Sequence, residues 1–319
     1  MDNDPIICFY GGDPLMEPEL IKKIMEMFPD AKFVIQTNGL RINGLDRDLI
    51  RRFSTILVSI DGRREVTDYY RGVGVYDRVL EGVRYIRRCG FEGDLVARMA
   101  VSGHTDIYMD VRHLIELGLF DHVHWQLDVL WDYPPAQRYN DFKAWLYGNY
   151  FPGINKLLDW WLEELADGNV LGIAPFKGIL YRILTGYRLG LLPCGSGIDA
   201  FGITTDGRIL ACPIAPEYKF NVVGHINSST PGNLYGSFWV DGPCLDCSYL
   251  DLCGGRCLFA NKTMLWGVDG FSLVCESVKF LIDRLIDVAD YVKSCLEVQG
   301  IGMEGIRYPP FLNSVEIIP

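Results

Sequence analysis

Between Ile6 and Val129, short apolar runs alternate with longer stretches whose apolar residues recur every three or four positions. That is the pattern of parallel strands joined by helices. The run Ile6 to Tyr10 is almost continuously apolar, which predicts a strand buried on both faces. It ends in Gly11-Gly12-Asp13-Pro14, and a helix is expected from Glu17 to Phe28 with Leu20, Ile21, Ile24, Met25 and Phe28 on one face. Further strands are predicted at Lys32 to Gln36, Thr55 to Ile60, Leu95 to Val101 and His122 to Val129. The helices between them fall near Arg47 to Phe53, Tyr76 to Cys89 and Tyr108 to Leu117.

The alternation stops at Tyr133-Pro134-Pro135. An amphipathic helix is then predicted from Phe142 to Ala166, interrupted near Pro152-Gly153, with Trp160, Trp161 and Leu165 as packing residues. A second helix, Lys177 to Leu189, leads to a cysteine-rich region. There Ile203 to Ala211 reads as a hairpin turning at Asp206-Gly207, and Phe271 to Leu296 as a helix. The tail from Gln299 to Pro319 is apolar enough to pack on the surface. The chain thus divides into 1–131, 132–193, 194–297 and 298–319.

Each strand of the first part ends in glycine or polar residues: Gly11, Gly12 and Asp13; Thr37 and Asn38; Ser59 and Asp61; Arg98; Gln126. Glycine and asparagine make turns wherever they occur. In a parallel barrel, however, reactive groups sit on the loops after the strands, and several such loops in register point to a site. Arg98 could equally serve as a salt-bridge partner at the barrel rim.

Composition narrows the class. The 319 residues are 49% hydrophobic and 13% aromatic, which predicts a substantial core. The net charge is −11 and no basic patch is visible, which argues against a nucleic-acid partner. No apolar run reaches the roughly 18 residues of a membrane span. The first residues carry no targeting pattern, so a reducing cytoplasmic setting is expected.

The ten cysteines change the picture most, because seven fall between Cys194 and Cys275. Cys244, Cys247, Cys253 and Cys257 stand at C-x2-C-x5-C-x3-C spacing, preceded by Cys194 and Cys212 and followed by Cys275. Gly254 and Gly255 permit the turns that aim successive thiolates at one point. Three chemistries compete: a disulfide framework, structural zinc and iron–sulfur ligation. Seven thiols are one short of two four-thiolate sites, which favours the last. Cys8, inside a strand run, and Cys89, closing a helix, read as buried thiols, and Cys295 as a non-ligand. His122 and His124 share a strand face but have no carboxylate nearby in sequence to support a metal.

The cysteine pattern, with Gly207 between Cys194 and Cys212, resembles the SPASM domain of radical SAM enzymes. The resemblance implies two auxiliary iron–sulfur clusters, of the [4Fe–4S] type. Cys244, Cys247, Cys253 and Cys275 would hold the outer one, and Cys194, Cys212 and Cys257 the inner one. The stretch TGYRLGLLP supplies no fourth inner cysteine, so the inner cluster either keeps an open iron site or borrows another ligand. FYGGDPLM resembles the family's GGEP motif, placing Gly11, Gly12, Asp13 and Pro14 beside S-adenosyl-L-methionine, with Arg98 reaching its carboxylate. VSIDGRREVTDYYRG resembles the S-x-D-G…H-D…R stretch, placing Ser59, Asp61, Asp68 and Arg71 there too, with Thr67 where His is usual. The family implies an α/β fold: a partial (β/α)6 barrel missing its first strand, then a small cysteine-rich α+β domain.

It also implies radical modification of a peptide or protein, fed by an electron donor, through a radical generated by reductive cleavage of S-adenosylmethionine. The segment HVHWQLDVLW resembles peptide-modifying members from methanogenic archaea. The family's CxxxCxxC loop, which binds the cleaving [4Fe–4S] cluster, has no counterpart in this sequence. The expectation is that the start lies upstream of Met1, and that this cluster is present only with such a segment. Pro213 stands where sulfatase-maturating members carry a catalytic Asp, leaving Asp199, Asp206 and Glu217 as acidic alternatives and the catalytic residue unassigned. A non-catalytic iron–sulfur or zinc module that binds a peptide is the alternative.

Overall fold

A computed structural model describes residues 4–128, 141–187, 192–236, 238–310 and 317–319. Five parallel strands form one sheet in sequence order: β1 (Ile6–Phe9), β2 (Lys32–Thr37), β3 (Phe53–Ser59), β4 (Asp94–Val101) and β5 (His122–Leu127). The order is uncrossed because each strand returns through a helix to pair beside its predecessor. The connecting helices are α1 (Pro18–Met27), α2 (Arg47–Arg51), α3 (Arg64–Arg71), α4 (Val75–Arg88) and α5 (Ile107–Glu116). Helix α3 is not visible in the apolar pattern, because it buries only Val66 and Thr67. Beyond β5 the chain returns at Gly172–Ile173, where Val123 N donates to Gly172 O at 2.7 Å, adding a sixth position to the barrel wall.

The expected double burial holds for the central strands β3 and β4 but fails for β1. Among the described residues β1 pairs only with β2, and Ile6 and Cys8 are exposed. Cys8 is therefore not a buried thiol, whereas Cys89 is. Leu20 and Phe28 also lie exposed, because α1 turns only Ile21 and Met25 fully inward.

Helix α6 (Phe142–Trp145) runs through a π-helical turn, Leu146–Tyr150, into α7 (Phe151–Ala166). The interruption is this turn, which ends two residues before Pro152, whose missing N–H cannot bond back to the preceding turn of a helix that otherwise runs on. Trp161 and Leu165 are fully buried as expected. Helix α8 (Ala174–Thr185) ends four residues before Leu189, and Gly186, with φ +67°, closes it. A 33-residue helix, α12 (Gly267–Gln299), packs on α7 and α8. Its buried stripe starts with Phe271 in the core of the cysteine-rich region and continues through Leu281 and Leu285 in the barrel core. One helix thus ties the two together. The cysteine-rich region carries an antiparallel sheet of β6 (Gly202–Ile203), β7 (Arg208–Leu210) and β8 (Val222–His225), with the expected turn at Gly207. It also holds the short helices α9 (Pro231–Leu234), α10 (Leu250–Cys253) and α11 (Leu258–Thr263).

The tail does more than cover the surface: Ile306, Tyr308, Ile317 and Ile318 are buried. Among the described residues no helix is long and apolar enough to cross a membrane. Residues Val129, Leu130 and Trp131, and the Tyr133-Pro134-Pro135 break, lie outside the described residues.

At the N-terminal ends of β4 and β5, His122 Nδ1 donates to Asp94 Oδ1 at 2.7 Å and its Nε2 accepts from Lys177 Nζ at 2.9 Å. The carboxylate that the local sequence around His122 lacks is supplied by β4. Burial pushes the Lys177 ammonium below its ordinary value of 10.5. Between the lowered folded value and 10.5 the unfolded chain binds the extra proton, so folded stability rises with pH across that window. Urea titrations should show the parent gaining on Lys177→Met as pH is raised toward that ordinary value. Gly172→Ala should cost about 2 kcal/mol or more in the same assay, since its Cβ would stand 1.9 Å from the Asp121 carbonyl oxygen.

Candidate functional site

The loops after β1 and β2 build one corner of the site. Asp13 caps the short turn Pro14–Met16, its Oδ1 accepting from Leu15 N at 3.1 Å and from Thr37 Oγ1 at 2.9 Å. Its Oδ2 is buried with no hydrogen-bond partner, an acceptor aimed at nothing the chain supplies. Asn38 accepts from Leu40 N at 2.9 Å and serves its own turn. Gly11, at φ +144°, and Gly12 leave the backbone bare, with open space where a side chain would stand.

The loop after β3 is held from within. Asp61 is buried, and its two oxygens take a bidentate fork from Arg71 at 2.6 and 2.7 Å plus Ala100 N at 2.9 Å. Asp68 accepts from the backbone of Gly74 and Tyr76, at 3.0 and 2.8 Å. Thr67 accepts from Asp61 N at 3.1 Å. These three therefore shape the loop and are spent on it, whereas Arg71 reaches the cavity. Arg98, on β4, pairs with His124 on β5.

A cavity of about 670 Å³ opens at the C-terminal ends of the strands. Cys8, Gly11, Ser59, Arg71, Arg98 and Gln126 line one side; Cys194, Ser196, Cys212, Arg256 and Cys257 line the other. The size suits a drug-sized ligand with room beyond it. Asp128, Ser196 and Arg256 were not singled out by sequence, because lone polar residues outside a spaced motif carry no signal there.

The seven clustered cysteines fall into two groups. Burial pushes the Cys212 thiol up to about 12, with Cys257 and Cys194 adding to the push. Cys253 is pushed up to about 12 by burial and then, weakly, by Cys275 and Cys244. Cys275 is raised by burial, then by Cys244 and Cys247. Cys194, Cys212 and Cys257 share the wall of the large cavity. A smaller cavity of about 40 Å³ is lined by Cys244, Cys247, Cys253 and Cys275 together with Cys257.

Local geometry explains the partition. Gly254, Gly255 and Arg256 all take positive φ, +65°, +80° and +55°, so the chain reverses between Cys253, which lines the small cavity, and Cys257, which lines both. A Cβ on Gly255 would meet Val240 at 2.7 Å. Fully buried Asn221 clamps the Cys212 turn, accepting from Cys212 N at 2.7 Å and donating to Cys212 O and Ala215 O. Ser196 Oγ lies 3.1 Å from Cys194 Sγ.

Such a donor set fits a metal cluster. Crowded thiols in a dry pocket stay protonated, and only a cationic centre makes several thiolates stable there. No disulfide joins any of the cysteines. Among the described residues no three thiol, carboxylate or imidazole groups converge closely enough for a single ion.

Among the acidic alternatives, Asp206 is held down to about 2 by the Thr204 hydroxyl and Arg208, which makes it a poor base. Burial raises Asp199, in the direction a proton acceptor near neutrality needs. Neither Asp199 nor Glu217 lines a cavity, though their neighbours Ala200 and Pro216 line the large one.

Residues 2–118 match the model of the radical SAM superfamily. The AdoMet-dependent heme synthase of Oleidesulfovibrio alaskensis is 33% identical over 280 residues, covering 79% of this chain and 70% of its own. The cysteine-type anaerobic sulfatase-maturating enzyme of Clostridium perfringens is 23% identical over 314 residues, covering 90% and 84%. The solved structure of anSMEcpe with bound AdoMet superposes with a TM-score of 0.69 at 22% identity, over 93% of this chain and 85% of that one. The chain belongs to the radical SAM superfamily and has the α/β fold of its members. It is an enzyme of that class, whose family cofactors are S-adenosylmethionine and iron–sulfur clusters.

Asp61 is the residue on which the Arg71 side of the cavity hangs. Asp61→Ala should cost roughly 3 kcal/mol, since it strands a guanidinium and a buried amide. Denaturant titration reads the loss; a change under 1 kcal/mol would show that the fork is not holding the loop.

Proposed function

We propose that this chain is a SPASM-type radical SAM enzyme that modifies a peptide or protein. In this reading S-adenosylmethionine lies at the strand ends, and two auxiliary [4Fe–4S] clusters sit in the cysteine-rich region. The observation that carries it is the sorting of seven thiols into two groups, one of which walls the cavity facing Ser59, Arg98 and Gln126. Cys244, Cys247, Cys253 and Cys275 would hold the outer cluster, and Cys194, Cys212 and Cys257 the inner one.

Bound S-adenosylmethionine supplies radical chemistry once reduced, and iron–sulfur clusters supply the electron path. The chain's own residues bind and orient. Asp13 Oδ2, buried and unpaired, accepts from the cofactor ammonium. Gly11 and Gly12, with Pro14 fixing the turn behind them, let the backbone approach it. Thr37 keeps Asp13 aimed, Asn38 shapes the adjoining turn, and Asp61 acts through Arg71. Ser59 and Gln126 offer hydroxyl and amide contacts in the cavity, and the Arg98 guanidinium takes the cofactor carboxylate. Asp199 is the acidic group whose environment suits a base.

A peptide substrate is supported by the similarity to the sulfatase-maturating enzyme and to the mycofactocin maturase MftC of Mycobacterium tuberculosis, 25% identical over 270 residues. The same fold occurs in anSMEcpe with bound AdoMet and the Cp18Cys peptide. A second reading, a carboxylate-bearing porphyrin, is favoured by the higher identity to the heme synthase and by three guanidiniums in one cavity, Arg71, Arg98 and Arg256. The thiol chemistry calls for a reducing cytoplasmic compartment and an electron donor as partner.

Because the chain carries no CxxxCxxC, the tests read binding instead of turnover. Anaerobic reconstitution should load about eight irons per chain, two four-iron clusters, and Cys275→Ala should lose about half. Tight zinc without a brown chromophore would sink the cluster reading. Asp13→Ala should weaken S-adenosylmethionine binding about tenfold by calorimetry, the worth of one charge-assisted hydrogen bond. Iron coproporphyrin binding with a shifted Soret band, and no peptide binding, would favour the second reading.

A further inference from the structure

Arg256 stands where the two thiol groups adjoin. It lines the small cavity with Cys253 and Cys275, and the large one with Cys194 and Cys212. Its backbone takes φ +55°, a conformation few residues other than glycine adopt, and the residue lines both cavities from there. Arg256 Nε donates to the Pro319 carbonyl oxygen at 2.5 Å. That oxygen belongs to a firmly seated segment. Ile317 and Ile318 are buried, and Ile317 lies so close to α8 that a Cβ on Gly178 would stand 2.6 Å from it. The bare backbone of Gly178 is thus a seat for the tail, and the tail in turn fixes the guanidinium.

We propose, resting on the two-cluster reading above, that Arg256 is a positioning residue. It places a fixed cation between the auxiliary clusters, held there by Ile317–Pro319, and so raises their reduction potentials. Clusters ligated by thiolates carry negative charge, and reduction adds more. A cation nearby in a low-dielectric gap favours the reduced form. Arg256 also binds the tail's backbone oxygen by one N–H of its fork, leaving the others toward the cavities. The C-terminal segment, distant from the cysteines in sequence, thereby becomes part of the redox site.

The test uses the full chain, reconstituted anaerobically with iron and sulfide, with iron content and midpoint potentials read by EPR-monitored titration. Arg256→Gln should keep the parent's iron content while its reduction equilibrium shifts at least tenfold toward the oxidised form, about 59 mV for a one-electron couple. Ile317→Asp, which unseats the tail without touching the cysteines, should shift it in the same direction. Arg256→Lys, which keeps a cation but not the fork, should fall between. Parental potentials in Arg256→Gln and Ile317→Asp would overturn the inference and leave the cluster reading intact. Iron loss from Arg256→Gln with an unmoved potential in Arg256→Lys would overturn it in favour of a structural role. A parent protein that takes up no iron would sink the cluster reading itself.

Discussion

Seven thiols gathered in a dry, crowded region set the central constraint. Burial first, and then neighbouring thiols, push Cys212 and Cys253 up to about 12. Left to themselves they are seven weak hydrophobes. Around the iron clusters proposed above they would become ligands whose burial strengthens each bond. The surrounding structure is organised to hold them at the required places: Asn221 on the Cys212 turn, Asn261 against Cys244, and the left-handed reversal that separates Cys253 from Cys257.

The barrel provides the opposite wall. Parallel strands deliver Ser59, Arg98 and Gln126 to one end because side-chain direction is fixed by register, and β3, β4 and β5 are in register there. Helix α12 spans both cores, so the thiol groups cannot drift relative to the strand ends without breaking the packing of Phe271 or of Leu281 and Leu285. The rigidity of the cavity follows from that shared helix.

Polar residues at the strand ends divide into those spent inward and those left outward. Asp61, Thr67 and Asp68 spend their hydrogen bonds on the loop after β3 and the backbone beside it. Asp13 is the opposite case, with one oxygen committed and one buried and unmet. An unmet buried acceptor costs stability, and a chain keeps one where a ligand completes it.

The alternation of apolar runs was enough to place the five strands within a residue or two, since burial of the central sheet demands it. The cysteine spacing was enough to single out the region where the thiols gather around two cavities, with the chain reversing at Gly254 and Gly255. What local pattern could not settle is anything set by neighbours in space. The exposure of Cys8 follows from β1 lying at the sheet edge, and the short helix α3 hides because its contacts are few. The carboxylate beside His122 arrives from another strand, and the partner of Arg256 from the last residue of the chain. Periodicity reports which face of an element is buried; only the packed tertiary structure decides against what.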